Sequence, residues 1–175
     1  VIPELIVLKP RASSGNWIVC GNFSGTTFGN KYMTLNTTDA SQSDGSYSNP
    51  TSSQFSTSNN ISPDSTHMAY LFRSVQGFSK IGFYKGNGQA SNGPFVYLGF
   101  RPAFVLTKQI HRADDWRIFD NKRSSSGSNP VDKHIYPYSN GAEASSSTSS
   151  VPDGFDFLSN GFKVRQASGG INANN

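Results

Sequence analysis

Short apolar bursts separated by long polar stretches set the rhythm of this chain. Residues 5–8 and 104–106 are apolar runs that follow a proline, and each predicts a strand with one well-buried face. A polar turn comes next, over residues 11–15 in the first case and 110–114 in the second. A second strand then starts at a tryptophan, over residues 17–20 and 116–119, so each pair predicts a hairpin with a loop longer than two residues. Shorter strands are predicted over 32–35, 53–56, 155–158 and 161–165, and a strong one over 67–72. The last two short strands form the clearest hairpin, with Asn160-Gly161 suited to a turn that needs positive φ.

The pattern repeats. Residues 3–9 (PELIVLK) align without a gap with residues 102–108 (PAFVLTK), an offset of 99, and at that offset Trp17, one of only two tryptophans, falls on Trp116, the other. Asn16 falls on Asp115 and Val19 on Ile118. Further along, Tyr32 pairs with Tyr136 and residues 39–41 with 143–145, at an offset of 104, while Phe55 and residues 60–61 correspond to Phe162 and residues 170–171. Two related halves are therefore expected, about 1–88 and 89–175. The first half continues into the 67–72 strand, whereas the second stops where its equivalent should begin. This predicts an excerpt of a longer protein, or strands supplied by a neighbouring chain, because open sheet edges otherwise invite aggregation.

Composition supports an all-β reading. Charged residues are only 15% and the polar surplus is Ser, Thr, Asn and Gly, which compete with or weaken helices. Aromatics at 13% supply enough bulk for a core, which argues against disorder. The expected fold is an antiparallel β-sandwich of jelly-roll or concanavalin A-like type. The single cysteine, Cys20, excludes an internal disulfide and a cysteine-based zinc site. A net charge of +4 gives little reason to expect a nucleic-acid partner, and no apolar run is long enough to span a membrane as a helix.

Candidate chemistry is thin. His67, His111 and His134 lie on a strand or in polar loops, outside any nucleophile pattern. Asp115 and Asp120, or Asp153 with Asp156, could furnish the acid and base of a glycosidase, but Asp115 aligns with Asn16, which keeps a turn and loses acid–base chemistry. Asp39, Asp44, Asp153 and Asp156 are loop oxygen donors without a dense calcium loop, so no cofactor is expected. The basic residues Arg112, Arg117, Lys122, Arg123 and Lys133 cluster around Trp116 and suit an acidic glycan. Interleaved Asp114, Asp115, Asp120 and Asp132 favour a self-neutralising loop instead. Tyr136 and Tyr138 stand in polar surroundings and suit a binding loop. The candidate ligand-binding set is accordingly Trp116, Arg112, Arg117, Arg123, Tyr136 and Tyr138.

Several segments carry a family resemblance. Residues 83–88 (FYKGNG), 93–108 (GPFVYLGFRPAFVLTK), 116–123 (WRIFDNKR), 129–132 (NPVD) and 156–163 (DFLSNGFK) resemble a repeat of bacteriophage virion and tail-fibre-like proteins, notably from marine phages. Residues 35–40, 50–53 and 77–80 are similar to it as well. The resemblance implies a concanavalin A-like sandwich in a virion, hence outside the cell. It implies a structural, non-enzymatic part that contacts other virion subunits, as a homo-oligomer, and a host-surface glycan. The alternatives are a glycan-degrading tail enzyme and a capsid-decoration or self-assembling fibre subunit.

Overall fold

The computed structural model describes residues 1–23, 28, 31–43, 49–56, 66–124, 129–145, 154–167 and 169–174. The expected strand over 53–56 proves to be a loop, because the Thr51 hydroxyl accepts from the Ser53 and Gln54 amides and turns the chain there. The described residues fall into two compact units: 1–75 with 79–83 and 110–113, and 76–78 with 84–109 and 114–175. The protein is all-β, built from antiparallel sheets of the sandwich class.

The first unit holds one five-stranded sheet in the order β4-β3-β2-β1-β5. Its strands are β1 (Leu5–Pro10), β2 (Ile18–Gly21), β3 (Lys31–Thr34), β4 (Gln42–Ser43) and β5 (His67–Phe72). Alternation along β1 puts Ile6 and Leu8 on one face, where they bury with Ile18 and Cys20 against Phe28, Tyr32 and Phe55.

The second unit stacks two sheets. One has the order β10-β9-β8-β7, from β7 (Phe104–Thr107), β8 (Arg117–Asp120), β9 (Lys133–Ile135) and β10 (Ala144–Ser145). The other has the order β11-β12-β6, from β6 (Phe95–Tyr97), β11 (Phe155–Leu158) and β12 (Gly161–Val164). Val105 and Phe119 of the first sheet meet Phe155, Phe157, Phe162 and Val164 of the second, and the Phe119 and Phe155 rings lie edge to face at 4.7 Å. Val131 bridges β11 at Phe155, and Asn129, two residues before it, continues that pairing with its side chain, which both accepts from Phe157 N and donates to Phe157 O.

The two meanders share a register. β1 pairs with β2 as Leu5↔Gly21, Ile6↔Cys20, Val7↔Val19 and Leu8↔Ile18, and adding 99 to every partner yields the β7–β8 ladder from Phe104↔Asp120 to Thr107↔Arg117. The third strand corrects the sequence alignment. Cys20 faces Tyr32 and its counterpart Phe119 faces His134, so Tyr32 matches His134 and not Tyr136, an offset of 102. The fourth strand keeps that offset, with Tyr32↔Gln42 and His134↔Ala144.

The β11–β12 hairpin also differs in detail. Leu158 pairs with Gly161, so Ser159 and Asn160 make the turn and Gly161 lies in the strand at ordinary φ. A side chain at Gly161 would collide with the Val96 carbonyl of β6, which explains the glycine by close approach rather than by turn geometry.

The segment 169–174 closes the second unit. A short helix α1 (Gly169–Asn172) buries Ile171 and Asn172, and the Asn172 side chain donates to Gln89 O and Gln166 O while accepting from Asn87 N. Gly88 N bonds Asn172 O at a φ of 69°. A side chain at Gly86 would strike Ala173. The Gly86-Asn87-Gly88 motif therefore serves as the seat of this segment.

Candidate functional site

The expected basic–aromatic set divides between the units. Arg112 lies exposed on 110–113, which belongs to the first. Trp116, Arg117, Arg123, Tyr136 and Tyr138 belong to the second. Trp116, just ahead of β8, is a buried core residue. Arg117, on β8, pairs with Asp114 at 3.0 Å and Asp115 at 3.3 Å, and its guanidinium sits 6.0 Å from the Tyr136 ring centre. Tyr138 donates to Asp115 at 2.6 Å, and this bond, with a smaller contribution from burial, pushes its phenol up to about 12. Tyr136 and His134 Nε2 are 2.9 Å apart, and burial, helped by Arg117, holds the His134 imidazole below its ordinary value.

Arg123 is paired as well. It binds Asp120 and, at 3.2 Å, Glu143, which also takes Lys133 at 3.1 Å. The hydrogen bond from Lys133, and then that from Arg123, hold the Glu143 carboxyl below its usual range. The charges of this region thus neutralise one another, and Asp115 and Asp120, the acids of the alternative glycosidase reading, serve as partners of Arg117 and Arg123. Among the described residues no group of His, Cys, Asp or Glu is placed to hold a metal ion. Of the loop acids weighed for calcium, Asp39 accepts from Thr37 and Asp156 pairs with Arg165 at 3.5 Å, while Asp44 and Asp153 lie outside the described residues.

A different site lies within the first unit. An open cavity of about 410 Å³ is lined by Glu4, Asn22, Phe28, Asn49, Ile81 and Phe83, among others. Its volume falls in the ~300–1,000 Å³ range of small-ligand pockets. The lip of β1 supplies Glu4, the end of β2 leads to Asn22, and the segment 79–83 supplies the opposite side. That segment is tied down through Ser74: its hydroxyl donates to Glu4 Oε2 at 2.6 Å and accepts from Ile81 N at 3.1 Å, while Ser74 N donates to Glu4 Oε1 at 3.2 Å. A small bridge between Val75 and Ser79, turning through Gly77 at a φ of 76°, shortens the connection. Phe83 is 60% exposed at the rim. Sequence reasoning missed this cavity, since its walls come from four stretches far apart in the chain.

Exposed apolar strand residues form the second unexpected feature. Among the described residues β5 lies at the edge of its sheet, and Met68, Tyr70, Leu71 and Phe72 are all exposed, with Leu71 at 53%. In the second unit, Phe95 and Tyr97 of β6 share the outward face with Leu158 and with Lys163 and Asp156, as the ladders Lys163↔Phe95 and Gly161↔Tyr97 require.

No curated protein and no solved structure matches the chain. Along its whole length, residues 1–175, it matches the family described as a domain of unknown function (DUF7483), and it is a member of that family.

Proposed function

We propose that this chain is a structural module of a virion appendage of the tail-fibre kind, which holds a host-surface glycan without processing it. Its location on this reading is the particle exterior, its neighbours are other virion subunits, and a concanavalin A-like arrangement of strands is the subclass of sandwich that goes with it. The observation that carries the adhesive part is the cavity of the first unit, where aromatic, amide and carboxylate side chains converge. The virion setting rests on the resemblance of segments such as 93–108 and 156–163. A glycan-degrading enzyme draws no support from Asp115 and Asp120, which are occupied by Arg117, Tyr138 and Arg123.

The test uses labelled protein and intact bacterial cells beside cells stripped of surface polysaccharide. Retention on the intact cells alone, reversed by soluble polysaccharide, is the expected outcome. Equal retention on both overturns the adhesive reading, and release of reducing ends from the polysaccharide favours the enzyme. A second reading, a self-assembling fibre or decoration subunit, is favoured by the apolar edge strand β5, which is built to accept a further strand. Light scattering decides it: multimers that Leu71→Lys dissociates support strand sharing, and a monomer at high concentration rejects it.

A further inference from the structure

We infer that the cavity of the first unit takes an uncharged sugar segment, such as a neutral hexose or N-acetylhexosamine chain end, and rejects acidic glycans. This inference rests on the adhesive reading above and narrows it to a ligand class. The first reason is charge. None of the described lining residues is Lys, Arg or His, and the one ionisable group there is the Glu4 carboxyl. A uronate, sulfate or phosphate group would enter against that carboxylate, and no described lining side chain carries a positive charge to offset its desolvation.

The second reason is the match of chemistry. A pyranose presents an apolar C–H face and a ring of hydroxyls that both donate and accept. Phe28 and Phe83 supply apolar aromatic surface, and Asn22 and Asn49 carry amides able to donate and accept. Glu4 is held in place by two donors from Ser74, one to each oxygen, so each oxygen retains acceptor capacity for a hydroxyl. The same Ser74 hydroxyl anchors Ile81 N, so Glu4 and the segment carrying Phe83 are set relative to each other before any ligand arrives. The basic cluster around Arg117 and Arg123, the other candidate place for a glycan, is neutralised by its own acids.

The experiment is calorimetric titration of the full chain with four probes: a neutral hexose trisaccharide, a triacetylated chitotriose, a trigalacturonate and a sulfated trisaccharide. One of the first two binds, with an affinity unchanged between low and high salt, and the acidic pair does not. Phe83→Ala weakens that binding at least tenfold, Phe83→Trp retains it, and Arg123→Ala leaves it unaltered. Phe83 is exposed, so neither substitution there threatens folding. Tighter binding of an acidic probe overturns the ligand class while leaving the adhesive reading intact. Neutral binding that survives Phe83→Ala overturns the assignment to this cavity. Silence from all four probes, with cell retention preserved, overturns the cavity as the adhesive site; silence with retention also lost overturns both.

Discussion

The two meanders, β1 to β4 and β7 to β10, have one strand order and one ladder register, yet they treat the same rungs differently. At the centre of β2 sits Cys20, and at the matched place on β8 sits Phe119. Both are buried, but Phe119 reaches across to Phe155 of an opposing sheet, whereas Cys20 packs with Ile6, Leu8 and Ile18 of its own sheet. The tryptophans diverge likewise. Trp116 is 5% exposed and belongs to the core, while Trp17 is half-buried and stacks on Tyr70 of β5 at 6.1 Å. The lesson is that a strand register specifies backbone pairing alone. The side chain on the matched rung then decides which neighbours it meets, Phe155 for Phe119 and Ile6, Leu8 and Ile18 for Cys20.

Truncation should separate the two regions most sharply. Phe119→Ala is expected to cost about 3–5 kcal/mol, because it empties an aromatic core contact. Cys20→Ala at the matched position should cost only ~1 kcal/mol, close to the loss of one small buried group. Urea unfolding followed by tryptophan fluorescence measures both, and equal costs would show that the matched rungs do not differ as described. Next in size, Trp116→Leu should lose ~2–3 kcal/mol of burial, against ~1 kcal/mol for Trp17→Leu, chiefly its stack on Tyr70. A larger loss at Trp17 would invert the comparison.

The smallest effect concerns pH. Tyr32 on β3 corresponds to His134 on β9, whose imidazole is held below the ordinary value of 6.5 by burial and by Arg117. A lowered folded value means that the unfolded chain binds the proton more readily. Stability from His134 is therefore complete above about 6.5 and is lost as pH falls from there through the folded value. Melting temperature measured from neutral to mildly acidic pH should drop less steeply in His134→Gln than in the parent chain. Parallel curves would remove His134 as a contributor.

Much of this architecture was legible in the residues. The ungapped match of 3–9 with 102–108, continued by the two tryptophans, predicts the shared β1–β2 and β7–β8 ladder rung for rung. The third strand was misaligned by two residues, since matching Tyr32 to Tyr136 follows residue type. A slip of two keeps the face of a strand and changes only the rung, so alternation could not expose it. The 53–56 stretch reads as a strand by pattern, but Thr51 captures the backbone donors that a ladder would need. At the site, the interleaved acids did foretell a self-neutralising cluster around Arg117 and Arg123. The cavity could not be foreseen, because Glu4, Asn22, Asn49 and Phe83 are brought together only by sheet pairing and by the Ser74 tether.

The Asn172 side chain makes the seating of segment 169–174 depend on one amide nitrogen. That nitrogen is buried and donates to two backbone carbonyls, Gln89 O and Gln166 O. Exchanging it for an oxygen, as Asn172→Asp does, would present an acceptor where both carbonyls demand a donor. A change of one atom thus becomes a defect of the whole segment. Urea unfolding should show a loss of about 1–3 kcal/mol, and an unchanged midpoint would show that the segment does not depend on this amide.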